Sequence, residues 1–258
     1  DSKLLVTFIL KMILNKNRIG RPTSSKAGVI AKKGRGAFGF GDAGITYLNK
    51  KRAERFLGRS TDTGQYAKQL YWGKCLEYVA FEKKVPREYD VISKETVVHP
   101  EYTFWRGSSE FEVPGLKVAE IKCYYPDNFF AYSEAIQLRN VDNLRENFPE
   151  EYWQIVSNAI LLGYDYGVAM AYMPTLEDLK ALRHRISETD FIRNQFPGEE
   201  EWKFKFISED DIETLPWIAP ESNWPDYHEF EFFIPSADIV YITKRFLDAE
   251  KYISGQNE

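Results

Sequence analysis

Two glutamates and a lysine near the middle of the chain have the types and spacing to do chemistry together. Glu120 and Lys122 stand two residues apart within 116–125, where Leu116, Val118, Ala119 and Ile121 read as a buried strand. The tripeptide Glu-x-Lys is a weak signal by itself, since it recurs at Glu82-Lys83-Lys84 and Glu201-Trp202-Lys203. Context selects the middle copy. Period two in a strand sends Glu120 and Lys122 to one face and leaves Ile121 to anchor the other. Residues 110–113 read as the preceding strand, and Pro114-Gly115 is turn chemistry, so a hairpin brings Glu110 towards Glu120. Two clustered carboxylates are costly unless a cation or a proton neutralises them. With oxygen ligands only, the cation should be hard, Mg²⁺ or Mn²⁺, keeping several waters and binding a substrate phosphate oxygen. That chemistry is phosphodiester hydrolysis. The metal lowers the pKa of a bound water and neutralises charge on the scissile phosphate, while Lys122 orients the water or stabilises the same charge. An ordinary surface Glu–Lys pair is the competing reading, and the tripeptide alone favours it.

Other chemistries lose support. Gly34-Arg35-Gly36-Ala37-Phe38-Gly39 fits G-x-G-x-x-G, but no strand leads into it and no helix opens within it, so a mobile loop is expected rather than a dinucleotide turn. His99, His184 and His228 lack ligand spacing, and there is no Walker A sequence and no G-x-S-x-G. Cys75 and Cys123 are too few for a four-thiolate site and are expected to be free, buried thiols.

The elements that must position these residues follow from pattern. Helices are expected at 45–57, ending at Gly58, at about 65–84, at 149–162 ending at Gly163, from Thr175 onward, and at about 237–253 with Ser236 as N-cap. Strands are expected at 110–113, 116–125, 166–173, 202–207 and 229–234. Helices and strands alternate, which gives an α/β or α+β class.

With 258 residues, 43% hydrophobic and 16% aromatic, the chain can bury a large core, and no repeat or linker divides it. A single domain is expected over 1–258, with a basic segment 1–70, a core at about 70–175 and an acidic extension 176–258. The net charge of -5 hides that asymmetry: residues 1–70 carry 15 Lys and Arg against 4 Asp and Glu, the remainder 19 against 35. A basic segment attracts phosphates in a salt-dependent way, although a solvated arm would look the same. A mean hydropathy of -0.45 excludes a polytopic membrane protein. The apolar run Leu4 to Leu14 is broken by Lys11 and falls short of the roughly 20 residues a bilayer crossing needs. No membrane association and a cytoplasmic location are expected.

Five pieces in series resemble the PD-(D/E)xK nuclease superfamily, and within it the phage-type alkaline exonucleases of the lambda exonuclease and YqaJ kind. They are Arg18-Ile19-Gly20-Arg21-Pro22-Thr23-Ser24-Ser25 (R-x-G-x-x-T-x-S), Gly73-Lys74-Cys75-Leu76-Glu77 (G-x-x-x-E), Gly107-Ser108-Ser109-Glu110 (G-S-P-D), Glu120-Ile121-Lys122-Cys123 (E-I-K-C) and Tyr152-Trp153-Gln154 leading to Gly163. The resemblance implies a restriction-endonuclease-like core, a central mixed sheet flanked by helices. It implies metal ligation by Glu110, Glu120 and the Ile121 carbonyl, Lys122 as catalytic lysine, and Glu77 as a supporting acid that reaches a second metal. Arg18, Ser25, Ser108 and Gln154 match groups that hold a terminal 5′-phosphate of DNA. The implied function is a 5′-to-3′ exonuclease on double-stranded ends, serving phage-type recombination in a bacterial or phage-infected cell. A ring-shaped homo-oligomer, often a trimer, and a single-strand annealing partner accompany that family. The sequence departs from it in having Glu110 for the aspartate and Ser109 for the proline of G-S-P-D. The extra methylene moves the carboxylate by about an ångström, enough in such a site to cost on the order of a hundredfold in rate. Glu112 on the same face could replace Glu110. The scaffold could instead serve a non-catalytic DNA-end-binding or assembly protein, or a structure-specific endonuclease.

Overall fold

The computed structural model describes residues 18–61, 67–91, 96–188, 190–196 and 198–256. The apolar run Leu4 to Leu14 lies outside them, and no helix among the described residues is long and apolar enough to cross a membrane.

In chain order the helices are α1 (Ala27–Ala31), α2 (Asp42–Leu57), α3 (Lys68–Lys83), α4 (Pro126–Gln137), α5 (Val141–Asn147), α6 (Pro149–Leu162), α7 (Leu176–Ile186), α8 (Phe191–Gln195), α9 (Lys205–Glu209) and α10 (Ser236–Ser254). The strands are β1 (Asp90–Val91), β2 (Val97–Val98), β3 (Arg106–Gly107), β4 (Phe111–Val113), β5 (Lys117–Lys122), β6 (Tyr166–Tyr172) and β7 (Tyr227–Phe233). Five of these form a mixed sheet in the order β1-β4-β5-β6-β7, and β2 pairs with β3 apart from it. The class is α/β, as the alternation of elements implies.

The expected hairpin is β4–β5, with Phe111 opposite Ala119 and Val113 opposite Lys117 across the Pro114-Gly115 turn. β5 and β6 run parallel, from Lys117 beside Tyr166 to Lys122 beside Ala171. A parallel pair needs a crossover, and α4, α5 and α6 supply it. Two of those helices fill 126–147, a stretch to which the sequence reading assigns nothing. Pro126 at the first turn marks the start of α4.

Alternation along β5 sorts its side chains between two apolar layers. Val118 joins a core built with Trp105, Tyr152, Ile155 and Phe246 under α6 and α10. Ala119 and Ile121 join a second core with Trp72, Leu76, Phe204 and Leu179 under α3 and α7. Glu120 and Lys122 therefore project on the α6 side. The acidic C-terminal third is part of both layers: β7 pairs along β6, and α10 contacts α1, α2 and α6. Within β7, buried His228, Phe230 and Phe232 alternate with exposed Glu229 and Glu231.

Two local expectations are corrected. Residues 202–207 are not a strand but a 3-10 turn, Glu201–Phe204, running into α9. Aromatics at 202, 204 and 206 imitate period two, yet Phe204 is drawn into the second core, where it stacks on Phe196 with ring centroids 4.9 Å apart. Trp202 is left exposed. Ser236 is the first residue of α10 rather than its cap; extended Pro235 occupies that position, and Asp238 and Ile239 donate to its carbonyl. The G-x-G-x-x-G segment is a pinned loop. Arg245 donates to the carbonyls of Ile30, Phe38, Lys32 and Gly39 and lies 3.8 Å from the Phe40 ring centroid.

Asp178 ties the second layer together. It completes a capping box with Thr175 at the start of α7, accepts from Tyr172 at 2.9 Å and pairs with Lys83 of α3. Burial alone would raise its pKa, but the hydrogen bonds from Lys83, Thr175 and Tyr172 win and hold it at about 2. A carboxylate held below its ordinary value stabilises the fold above that value and ceases to do so as pH falls through the depressed one. Asp178→Asn should therefore cost about 1–2 kcal/mol at neutral pH. In urea titrations the gap to the wild type should narrow as pH drops from about 4 towards 2; a gap independent of pH would contradict the assignment.

Candidate active site

The site forms where the C-terminal half of β5 meets the middle of α6, and both faces follow from periodicity. Helical spacing places Gln154, Asn158 and Leu161 on one side of α6. Lys122 Nζ lies 2.9 Å from Glu120 Oε1 and 3.4 Å from Gln154 Oε1, and Gln154 Nε2 donates to the same Glu120 oxygen. Asn158 Nδ2 lies 3.5 Å from the other Glu120 oxygen and 3.5 Å from the Ser108 carbonyl, so it bridges the strand and the segment leading into β4. The sequence reading misses Asn158, although its position four residues after Gln154 is the signal that would have found it.

Glu120 is only 2% exposed, so its charge needs partners, and Lys122, Gln154 and Asn158 are those partners. Glu110, just before β4, turns its Oε2 onto the backbone N–H of Ile121 at 2.8 Å. Burial, then repulsion from Glu120 and from Glu77, holds the Glu110 carboxyl well above its usual pKa. Burial would depress the Lys122 ammonium, but Glu120 and Glu110 outweigh it and hold its pKa well above the ordinary lysine value. Glu77 approaches from α3 on the opposite side of the sheet, and burial with the charges of Glu77 and Glu110 also pushes up the Cys123 thiol. Cys75 and Cys123 are both free and buried. Glu77 does not have Lys74 to itself, since Lys74 pairs with Glu199 at 2.5 Å. Glu112 shares the strand face but accepts from Tyr164 at 2.5 Å, at the turn end of the hairpin.

A second group gathers beside this one. Arg18 donates to Ser108 Oγ at 2.7 Å, with burial lowering its pKa. The chain around Arg18 is held by α2: Gly20 N donates to Glu54, Arg55 donates to the Gly20 carbonyl, and Thr23 N donates to the Tyr47 hydroxyl. Gly20 has φ +63, and a Cβ there would fall 2.8 Å from the Arg55 Cα, so only glycine suits this approach. Gly107 serves differently: a Cβ would fall 2.4 Å from both Leu161 Cδ1 and Ser24 Oγ, so its absence lets β3 seat on α6. Ser24, Ser157 and the Trp105 indole form a buried chain that fixes that contact. Ser25 is exposed, and its hydroxyl lies 3.2 Å from Thr23 Oγ1. Arg18 thus meets Ser108, Gln154 stands with Glu120 and Lys122, and the Ser25 hydroxyl is turned to Thr23.

Among the described residues no three His, Cys, Asp or Glu side chains stand close enough to cage a metal by themselves. The donor set still suits a hard divalent ion, because Glu110 lies within repulsive range of Glu120 and Glu77 in a buried setting that a cation would relieve. Mg²⁺ in particular binds through one or two carboxylates and completes its shell with water and substrate oxygens.

No protein-family model and no curated protein matches the chain in sequence. Solved structures do match. An alkaline exonuclease from Laribacter hongkongensis superposes with a TM-score of 0.60 at 13% identity, covering 95% of this chain and 93% of that one, and its complex with dAMP gives the same values. A phage-related exonuclease from Haemophilus somnus superposes with a TM-score of 0.53 at 13% identity over 91% of this chain and 94% of its own. The mixed sheet with helices on both faces is thus a fold shared with these exonuclease structures.

Proposed function

We propose that the protein is a metal-dependent DNA exonuclease that removes nucleotides from double-stranded ends, 5′ to 3′. The observation that carries this reading is the buried Glu120–Lys122 pair at 2.9 Å with Glu110 beside it, one residue run away from an Arg18–Ser108 pair suited to phosphate. Glu110, Glu120 and the Ile121 carbonyl would hold Mg²⁺ or Mn²⁺, with Glu77 in support from the other side of the sheet. When bound, such an ion makes a water acidic enough to act as nucleophile and neutralises charge on phosphate.

The side chains divide the remaining work. Lys122 presents an ammonium at the edge of the buried carboxylates, where it orients the attacking water or stabilises charge on the scissile phosphate. Gln154 keeps Lys122 and Glu120 in register, and Asn158 ties Glu120 to the Ser108 loop. Arg18 offers a planar fork to a terminal phosphate, and the Ser108 hydroxyl, its present partner, adds a neutral donor. A phosphate fixed there would set the next phosphodiester bond over the carboxylates, favouring stepwise removal over internal cutting. The Glu110 bond to Ile121 N favours a second reading, a DNA-end-binding protein without catalysis, since that carboxylate is engaged by backbone and carries one methylene more than aspartate.

With Mg²⁺, linear duplex should be degraded and closed circles spared; equal loss of both would reject end dependence. Lys122→Ala and Glu110→Gln should each lower turnover by about 10²–10³ while DNA binding persists, whereas Glu112→Gln, which disturbs only the Tyr164 contact, should keep near-normal activity. If Glu112→Gln is the inactive one, the ligand assignment is reversed. Arg18→Ala should reduce the preference for 5′-phosphate over 5′-hydroxyl ends by about tenfold. Absence of Mg²⁺ or Mn²⁺ binding, unaffected by Glu120→Ala, would support the non-catalytic reading.

A further inference from the structure

The site is a ladder of side chains between β5 and α6, and its last rung lies outside the chemistry proposed for it. Alternation puts Glu120, Lys122 and Tyr124 on one side of the strand and its extension, and helical spacing puts Glu151, Gln154 and Asn158 on the facing side of α6. Asn158 Nδ2 lies 3.5 Å from Glu120 and Gln154 Oε1 lies 3.4 Å from Lys122 Nζ. One turn nearer the start of the helix, Glu151 accepts a hydrogen bond from the Tyr124 hydroxyl. The first two rungs hold Glu120 and Lys122. The third holds neither a metal ligand nor the lysine, and it stands past the end of β5.

That place matters because β5 is least held where the chemistry is. β4 pairs with it only over 117–119. From Glu120 to Lys122 the strand keeps β6 on one side, and Lys122, opposite Ala171, is the last paired residue. On the other side the Glu110 carboxylate stands in for a strand by accepting from Ile121 N at 2.8 Å. Beyond Lys122 the chain leaves the sheet and passes through extended Tyr125 to Pro126, where α4 begins. A lysine at a strand end can swing its ammonium widely on a flexible stem, so the anchoring of the backbone just beyond it decides which acceptors it reaches. Tyr124 is that anchor. Its hydroxyl is on Glu151, and its ring packs edge-on against the fully buried Tyr132, with centroids 5.7 Å apart.

The ordinary readings of these two residues cover less. An acid in the first turn of a helix offsets the macrodipole, but Glu150 does that from an exposed position, whereas the half-buried Glu151 is turned to the phenol. Burial, followed by the charge of Glu151, holds the Tyr124 phenol above its ordinary pKa, so the proton stays on the tyrosine and the carboxylate serves as acceptor. We propose that Tyr124 and Glu151 are a positioning pair: they hold the chain beyond β5 against α6 and so keep the Lys122 ammonium between Glu120 and Gln154. This rests on the nuclease reading and deepens it, since the pair acts on phosphodiester hydrolysis through Lys122 alone.

The test is single-turnover cleavage of a linear duplex by the full chain with Mg²⁺, with DNA affinity measured separately. Tyr124→Phe, which keeps the ring and loses the hydroxyl, and Glu151→Ala should each lower the cleavage rate about tenfold while DNA affinity is retained. The double variant should be no slower than either single one, because both changes break the same bond. In a Lys122→Ala background, Tyr124→Phe should cost nothing further. Glu151→Gln, which still offers an oxygen, should recover most of the rate lost in Glu151→Ala. A wild-type rate in Tyr124→Phe overturns the pair, and so does a further loss in the Lys122→Ala background, which would give the tyrosine a route of its own. Glu151→Gln as slow as Glu151→Ala overturns it by making charge rather than position decisive, and a parallel loss of DNA affinity does so by showing a general loosening of the fold. If instead the wild type leaves duplex ends intact, or Lys122→Ala keeps the full rate, the nuclease reading fails and the pair's role falls with it.

Discussion

A carboxylate removed from water must be given partners, and that requirement organises the centre of this molecule. Glu120 is buried in the middle of the sheet, and its charge is met by Lys122 from its own strand and by two amides from one face of α6. Separating α6 from β5 would strip Glu120 of both amides, which ties the helix to the strand. Glu110 brings the same difficulty in a sharper form, because it sits near both Glu120 and Glu77 with only one backbone N–H and Lys122 to offset them. Negative charge is thus concentrated at one point of a scaffold that is otherwise densely apolar.

Around that point the layers act as a vice. β5 is buried on both faces, with Val118 held by one core and Ala119 and Ile121 by the other. A strand so fixed has no freedom to slip in register, since a shift by one residue would drive Glu120 and Lys122 into the Trp72–Phe204 core. The cationic groups are positioned by other means. Arg18 depends on hydrogen bonds from α2 to the Gly20 backbone, and its partner Ser108 follows β3, whose close seating against α6 Gly107 permits. The anionic centre is therefore carried by the sheet and the cationic rim by segments docked on it.

The likeness to the alkaline exonucleases extends over nearly the whole chain at 13% identity, so what is shared is architecture, and the chemistry must be argued from side chains. Glu110 accepts a hydrogen bond from Ile121 N, which draws its side chain to the strand that carries Glu120.

Much of this was legible in the sequence. Period two in 116–125 placed Glu120 and Lys122 together, and helical spacing with Pro149 and Gly163 delimited α6, because these signals are local and every nearby residue obeys them. Where local pattern served two structures equally, tertiary packing chose: aromatics at 202, 204 and 206 suit a strand, but Phe204 is buried from a 3-10 turn because the second core has its vacancy there. Ser236 likewise lost the cap position to Pro235, whose extended backbone leaves the sheet directly into α10. Contacts between segments far apart in sequence could be decided only by folding. That Glu112 turns to Tyr164 while Glu110 turns to Ile121, that Asn158 bridges Glu120 and Ser108, and that Arg18 meets Ser108 all depend on where β3, α6 and the N-terminal segment converge. Residue type and spacing determine which side chains can meet along one element, whereas distance between elements, and hence which charges are satisfied and which are left wanting, exists only once the layers close.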